Sequence, residues 1–360
     1  MKKLPEEFAT KYPLRFRPDG RFRILMMSDA HHAPETGNWT IQAMGQLIDR
    51  TKPDFVFLGG DNIERCETEE MSERMIAEVV SPMEQRGIPW AHVFGNHDNT
   101  PLLPKAFQQS VYETYPHCLS QSGPKGIPGI GNFFLPVLGQ SGEPVFGIWG
   151  LDSQQDFASQ TTKLEYKGDL SWDLLMPSRI ASSSDSDYIR FEQVMWYYET
   201  SKKLEAYYGR KIPSLMVFHI PLPEYNAILK NAHRTHMTGE YNERVCASEI
   251  NSGMFAAALE RGDVKAMFSG HDHINTFDGI YCGIHMGYDG SIGSNAYGTR
   301  DNDPSGDRER LRGGRIFDVS ESDPWDIHTE MVFVSPRQVL PCKASSSVSP
   351  LHKESVKFSD

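Results

Sequence analysis

The fold of this chain is decided by the stretch at Val264–His273, which reads Val-Lys-Ala-Met-Phe-Ser-Gly-His-Asp-His. A short, mostly apolar run ends there in an abrupt polar turn with two histidines and an aspartate. Apolar runs of this length that are bounded by glycine or proline are typical of strands buried on both faces of a sheet. The stretch therefore predicts a central strand with metal-ligand residue types at its carboxyl end.

The same arrangement recurs four times earlier in the chain, each time as an apolar run followed by a polar turn. These runs and turns are Phe22–Met27 before Ser28-Asp29-Ala30-His31, Phe55–Leu58 before Gly59-Gly60-Asp61-Asn62, Trp90–Phe94 before Gly95-Asn96-His97-Asp98, and Leu215–Phe218 before His219. Helical patterns separate most of them, at Thr40–Arg50, between the cap Thr68 and Gly87, at Asp187–Tyr208 and at Asn251–Arg261. Alternating strands and helices predict an α/β fold, a mostly parallel sheet covered by helices.

The polar turns are expected to meet at one edge of the sheet. In an open α/β sheet the crevice lies beyond the carboxyl ends of the strands, where all five runs place Asp, His or Asn. Each turn alone has an ordinary explanation, such as an aspartate that hydrogen-bonds its own backbone. Five unrelated turns would not be expected to contain metal-ligand residue types so consistently. The five turns together therefore predict a metal site. The candidate ligands are Asp29, His31, Asp61, Asn96, His219, His271 and His273.

A pair of metal ions suits these side chains. Two divalent ions about 3.5–4 Å apart can clamp a phosphoryl oxygen and activate water near neutral pH. Such a pair needs a bridging carboxylate, for which Asp61 on its glycine turn is best placed. Asp29, Asp61 and a bridging hydroxide would leave about one positive charge to attract a phosphate. The mixture of imidazole and carboxylate favours Mn, Fe or Zn over Mg or Ca.

In order and spacing, the five segments resemble those of the calcineurin-like metallophosphoesterases, over the range from Arg21 to Val319 apart from residues 100–213. The resemblance implies a four-layer sandwich of two mixed sheets flanked by helices. It implies that one metal is bound by Asp29, His31, Asp61 and His273, and the other by Asp61, Asn96, His219 and His271. A metal-bridging hydroxide would attack the phosphate, His97 would protonate the leaving group, and Asp98 would orient His97.

The chain more closely resembles a plant and fungal branch that is grouped with the purple acid phosphatases. This resemblance rests on Val217–Tyr225, Asn251–Gly253 and Gly262–Ala266. The chain departs from true purple acid phosphatases in two places. His31 replaces a glycine, and Glu64 stands where a metal-binding tyrosine would be. Without that tyrosine there is no phenolate–iron charge transfer, so we expect a colourless protein.

This closer resemblance favours hydrolysis of a phosphomonoester, carried by a small molecule or a phosphoprotein. A phosphodiesterase acting on nucleotides or lipid head groups is the alternative among enzymes. A non-catalytic scaffold on the same fold is the alternative from another class, although every ligand position and His97 are filled. Candidate substrate contacts, for which packing or a solvated loop is the alternative, are Tyr225, Arg234, His236 and Tyr288.

The composition of the chain limits which binding partners and which cellular compartment we expect. The chain has 360 residues, 36 of them basic and 48 acidic, and a formal charge of −12. A surface this acidic repels phosphate at long range, so we expect no nucleic-acid partner. No apolar run is long enough for a membrane span, and the first residues do not resemble a signal peptide. Five scattered cysteines are typical of reduced thiols, and we predict a cytoplasmic protein.

A single metallophosphoesterase domain is predicted over residues 1–334. It carries a variable insertion at about residues 100–213, which is expected to shape the pocket and to contain a hairpin of Asn132–Pro136 and Val145–Leu151. Residues 335–360 are rich in serine, proline and lysine and predict a flexible tail.

Overall fold

The structure, a computed structural model, describes residues 4–98, 103–154, 186–299 and 307–334. Its helices are α1 (Trp39–Thr51), α2 (Glu69–Glu84), α3 (Lys105–Tyr112), α4 (Phe191–Tyr208), α5 (Tyr225–Lys230) and α6 (Met254–Arg261), preceded by a 3₁₀ turn at Glu6–Phe8. Its strands are β1 (Leu14–Arg15), β2 (Arg21–Met27), β3 (Phe55–Leu58), β4 (Trp90–His92), β5 (Phe133–Leu138), β6 (Pro144–Gly150), β7 (Ser214–Val217), β8 (Val264–Ser269), β9 (Asp278–Tyr281), β10 (Ile284–Tyr288), β11 (Gly313–Ser320) and β12 (Asp323–Phe333).

The strands form two mixed sheets. The seven-stranded sheet has the order β1-β5-β6-β7-β8-β10-β9, and the five-stranded sheet has the order β12-β11-β2-β3-β4. Strands β2, β3 and β4 run parallel in one sheet, and β6, β7 and β8 run parallel in the other. Because parallel strands end on the same side, the polar turns that follow them are gathered at one edge of each sheet.

The two sheets pack face to face, with helices on the outer side of each. Aromatic rings from opposite sheets meet in the layer between them, where Phe57 stacks on Phe133 at 6.1 Å and Phe268 meets Phe317 edge-on at 4.7 Å. Apolar faces of α4, α5 and α6 cover the seven-stranded sheet, while α1, α2 and α3 cover the five-stranded sheet. The predicted four-layer α/β/β/α sandwich is therefore confirmed.

Two helices begin later than their apolar patterns predict, and local hydrogen bonds explain both shifts. Helix α4 starts at Phe191 instead of Asp187, because the side chain of Gln193 accepts a hydrogen bond from the backbone of Arg190. Helix α6 starts at Met254 instead of Asn251, whose side chain accepts from the backbone of Gly253. Polar side chains that bond the backbone locally offer it an alternative to the helix.

The region predicted as an insertion contributes to the sheet in the part that the structure describes. The predicted hairpin is present as the antiparallel pair β5 and β6, which lies between β1 and β7. The role of this region in shaping a pocket stays a prediction, and the predicted tail at 335–360 lies outside the described residues. Among the described residues, no helix has both the length and the apolar character needed to cross a membrane.

Candidate metal centre

All seven candidate ligands lie in the turns that follow β2, β3, β4, β7 and β8. The five-stranded sheet supplies Asp29, His31, Asp61 and Asn96, and the seven-stranded sheet supplies His219, His271 and His273. Their side chains converge between the two sheets into two groups that share one residue. The first group is Asp29, His31, Asp61 and His273, and the second group is Asp61, Asn96, His219 and His271.

In the first group, the donor atoms face one another across a space the size of a cation. His273 Nε2 lies 3.2 Å from Asp29 Oδ1 and 3.2 Å from His31 Nε2. His31 Nε2 lies 3.6 Å from Asp61 Oδ2. One ligand atom from each member of this group fits within 4.8 Å of all the others.

The second group is built around the same carboxylate. His219 Nε2 lies 3.1 Å from Asp61 Oδ2 and 3.2 Å from Asn96 Oδ1. His271 Nδ1 lies 2.9 Å from Asn96 Oδ1. Asp61 therefore occupies the position between the two groups that a bridging ligand requires.

Two buried carboxylate oxygens test whether this donor set fits metal ions. Asp29 Oδ1 and Asp61 Oδ2 are buried and make no hydrogen bond within the described part of the chain. The other oxygen of each side chain is held, since Asp29 Oδ2 accepts from the backbone of His271 at 3.1 Å and Asp61 Oδ1 from that of His97 at 2.8 Å. Each of the two oxygens faces a ligand imidazole, His273 for Asp29 at 3.2 Å and His219 for Asp61 at 3.1 Å, and buried negative charge of this kind fits cations placed between these donor atoms.

The electrostatics of the cluster point the same way. Burial disfavours the charge on Asp29 and Asp61, but the facing imidazoles outweigh it and hold the pKa of both carboxyls far below the ordinary range. Burial lowers the pKa of His31, yet the nearby carboxylates of Asp29, Glu64 and Asp61 raise it to about 10. The carboxylates raise the pKa of His219 to about 9 against the effect of burial. The buried carboxylates therefore stabilise positive charge next to them.

The turns hold the ligands in unusual backbone conformations. Asp29, His31, Asp61 and His271 have positive φ angles of 54°, 42°, 51° and 75°. L-residues seldom adopt this region, and such strain is concentrated at functional sites. Gly60 in the turn after β3 has a φ of 100°, and a Cβ there would lie 2.6 Å from Nδ1 of His219. The turn after β3 must therefore carry glycine for His219 to reach its place.

His97 lies at the exposed side of the cluster. Its ring is exposed and meets the His31 ring edge-on, with the centroids 5.1 Å apart. Asp98 does not take the role expected for it, because both of its oxygens are occupied by backbone amides. It accepts hydrogen bonds from the backbones of Asp61, Asn62, Ile63 and Gly95. Asp98 thus fixes the turns after β3 and β4, and it makes no hydrogen bond with the His97 side chain within the described residues.

The expectation that Tyr225 and Tyr288 wall the pocket is wrong. Both rings are fully buried in the core between the seven-stranded sheet and its helices. The Tyr225 hydroxyl donates to the carbonyl of Met267, and the Tyr288 hydroxyl donates to Asp272. Packing, the alternative explanation, accounts for both.

The other two candidate substrate contacts lie on an exposed loop that follows α5. Arg234 and His236 are exposed, and neither makes a hydrogen bond or ion pair with the candidate ligands in the part of the chain that the structure describes. Their role in substrate binding stays a prediction.

Sequence reasoning did not predict that two further residues, Glu64 and Tyr297, contact ligand side chains on the side away from the centre. Glu64 Oε2 lies 2.8 Å from His31 Nδ1, although the sequence marked Glu64 only as the replacement for a tyrosine. The Tyr297 ring stacks on the His273 ring at 4.1 Å, and its hydroxyl donates to Glu243. Only the spacing of Glu64, three residues after Asp61, could have signalled such a role.

Comparisons with known proteins identify the family of this chain and several relatives. The family model described as Calcineurin-like phosphoesterase matches residues 22–275. "Probable inactive purple acid phosphatase 14" of Arabidopsis thaliana is 32% identical over 79% of this chain and 74% of its own length. "Phosphatase DCR2" of Saccharomyces cerevisiae is 27% identical over 72% of this chain and 45% of its own length.

A solved structure described as a dimetal phosphatase from Danio rerio is 12% identical, covers 87% of this chain and 99% of its own, and has a TM-score of 0.46. The match of the family model to most of the chain, at residues 22–275, includes all seven turn ligands. The chain therefore belongs to the calcineurin-like phosphoesterase family.

Proposed function

We propose that this protein is a binuclear metal-dependent phosphomonoesterase. The observation that carries the proposal is the pair of buried carboxylate oxygens of Asp29 and Asp61. They make no hydrogen bond among the described residues and face imidazoles in two groups joined by Asp61. Such a donor set suits Mn, Fe or Zn, because imidazole nitrogen is a poor ligand for Mg or Ca. Two bound cations would polarise a phosphoryl oxygen and make a water molecule more acidic.

The residues of the chain would divide the remaining work. The exposed ring of His97, beside His31, would donate a proton to the departing oxygen of the ester. Asp98 would keep the turns after β3 and β4 in register, so that Asp61 and Asn96 face the same space. The preference for monoesters rests on the closer family resemblance, and the substrate is either a small phosphorylated molecule or a phosphoprotein.

Hydrolysis assays test the proposal directly. Protein stripped of metal and reloaded with Mn²⁺, Fe²⁺ or Zn²⁺ should hydrolyse 4-nitrophenyl phosphate faster than bis(4-nitrophenyl) phosphate. An Asn96→Ala variant should lose this activity, because the second group then lacks its amide oxygen. Faster turnover of the diester would favour a phosphodiesterase.

A scaffold is the second candidate, favoured by the name of the Arabidopsis thaliana relative, which describes that protein as "probable inactive". This chain keeps a ligand residue at all seven positions together with His97. A metal-loaded wild type that hydrolyses neither ester nor any member of a broad phosphopeptide panel would support the scaffold and refute the phosphatase.

The metal-loaded protein is expected to be colourless. A purple acid phosphatase colour needs a phenolate on iron, and Glu64 occupies the position of that tyrosine. Tyr297, whose ring stacks on His273, donates its hydroxyl to Glu243 at 2.7 Å instead. An absorption spectrum of the iron-loaded protein should show no intense band in the visible range. Such a band would contradict the expectation.

A further inference from the structure

Each candidate ligand histidine except His273 turns one ring nitrogen to the centre and the other to an outer partner, and these outer partners differ in charge. His31 Nδ1 faces a carboxylate, with Glu64 Oε2 at 2.8 Å. In the second group the outer partners are neutral. His219 Nδ1 lies 2.9 Å from the carbonyl of Gly59, and His271 Nε2 lies 3.2 Å from the hydroxyl of Ser186.

Glu64 is itself held in place. Its other oxygen accepts a hydrogen bond from the side-chain amide of Asn295 at 2.5 Å and pairs with Arg65 at 3.0 Å. The same Asn295 amide donates to the backbone carbonyl of His31 at 3.1 Å, so it ties Glu64 and His31 together. The Glu64 side chain is 18% exposed and the His31 side chain is 5% exposed. The contact is therefore a largely buried, fixed arrangement and not a passing surface pair.

A carboxylate behind a ligand imidazole has two effects on a metal ion in front of it. It fixes the proton on Nδ1 of His31, which leaves Nε2 free to bind, and it makes that nitrogen a stronger donor. It also adds negative charge near the first group, which already holds Asp29 as well as the shared Asp61. The second group has only the shared carboxylate. The first group should therefore bind a cation more tightly than the second.

We propose that Glu64 is a positioning residue that makes the first group the tighter cation site, so that the two ions bind in a fixed order. The inference rests on the proposed function, because it presumes that both groups bind metal. It concerns the unequal affinity of the two groups, which family membership alone does not specify.

Calorimetric titration of the metal-free full chain with Mn²⁺ tests this order. Wild type should show two binding steps of different affinity. Glu64→Gln keeps the shape of the side chain and removes its charge. It should weaken the tighter step about 10- to 100-fold, the usual effect of losing an outer partner of a metal ligand, and leave the weaker step unchanged.

Two control variants separate positioning from other causes. Glu243→Gln removes a negative charge on the same side of the centre. Glu243 accepts hydrogen bonds from Tyr297 and the backbone of Ile274, and among the described residues it makes none with a candidate ligand. If the contact with His31 matters, Glu243→Gln should affect the tighter step much less than Glu64→Gln. Ser186→Ala removes the outer partner of His271 and should weaken only the weaker step. Circular dichroism and melting of the metal-free variants show whether each one folds.

The outcomes are distinct. A wild type that binds no Mn²⁺, Fe²⁺ or Zn²⁺ overturns the proposed function together with the inference. A wild type with two bound ions and a Glu64→Gln variant with unchanged affinities overturns the inference alone. Equal weakening by Glu64→Gln and Glu243→Gln, or equal weakening of both steps by Glu64→Gln, also overturns it. Selective loss of the tighter step in Glu64→Gln supports it.

Discussion

His97 differs from the neighbouring ligand residues because its ring is exposed, while Asn96 beside it is buried. Its backbone amide donates to Asp61, which fixes the turn, while the exposed ring makes no hydrogen bond among the described residues. We expect His97→Gln to lower kcat about 10²- to 10⁴-fold, the usual contribution of a general acid, without loss of metal. Steady-state kinetics and metal analysis of the same sample check this.

The matched control for this variant is His328→Gln, at an exposed histidine on the edge strand β12. It should keep full activity. If His97→Gln were as active as this control, His97 would have no part in the chemistry.

His92 is a buried histidine that belongs to the core, as its place within a strand predicts. Burial lowers its pKa to about 3, while an unfolded histidine titrates near 6.5. Between these two values the unfolded chain takes up a proton that the folded protein excludes. The free energy of unfolding therefore falls as the pH falls from about 6.5 to 3, by up to about 1.4 kcal/mol per pH unit from this group.

A His92→Gln variant lacks the titrating imidazole, so this part of the pH dependence of the free energy of unfolding should be lost. Urea unfolding of metal-free wild type and variant at pH 7, 6 and 5 should show that wild type loses more stability towards acid. At pH 7 the variant should be the less stable protein, since it loses packing against Tyr112 at 3.9 Å. If the free energy of unfolding fell equally towards acid in both proteins, folding would not lower the pKa of His92.

Among the elements, the turns after the parallel strands carry both the fold and the site. We expect Gly60→Ala to destabilise the protein by about 1–3 kcal/mol, because a positive φ is strained for alanine and the new Cβ would press on His219. Displacement of His219 should also weaken cation binding by the second group. Thermal unfolding and metal titration measure the two effects.

Gly126→Ala provides the comparison, since Gly126 has a φ of 86° but no atom within 4 Å of a Cβ built on it. Its loss of stability reports backbone strain alone. If Gly60→Ala cost no more than Gly126→Ala and left metal binding intact, the close approach of Gly60 to His219 would be unimportant.

The turns were predictable because each combines a local signal with a general rule. An apolar run followed by Gly-Asp or Gly-His identifies a buried strand and its end, and parallel strands place those ends together. Glu64 and Tyr297 could not be found in this way. Their contacts with His31 and His273 depend on how separate turns pack against one another. No local sequence pattern indicates which turns come into contact.

At the scale of the whole molecule, the α/β class followed from the alternation of strands and helices, and the sandwich followed from the family resemblance. The place of β5 and β6 inside the seven-stranded sheet did not follow, because strand order depends on non-local pairing with β1 and β7. For the same reason, Tyr225 and Tyr288 were expected at the pocket but belong to the core.

Removal of metal should lower the stability of the whole molecule. Ions that bind only the folded state add stability by mass action, about 2.7 kcal/mol for each site at a free concentration 100 times its dissociation constant. Calorimetry should therefore show a lower melting temperature after treatment with a chelator, and recovery when Mn²⁺ is restored. In Asp61→Asn, which lacks the shared carboxylate, the response to Mn²⁺ should be much smaller. An unchanged melting temperature of wild type after treatment with the chelator would contradict this prediction.

Both candidate groups draw ligands from both sheets, and the turns of the five-stranded sheet come earlier in the chain than His219, His271 and His273. During synthesis on the ribosome, the growing chain would carry half of the centre long before the other half exists. Ester cleavage would then begin only when the turns after β7 and β8 have packed against those after β2, β3 and β4. Turnover by this protein would thus report that its two halves are correctly assembled.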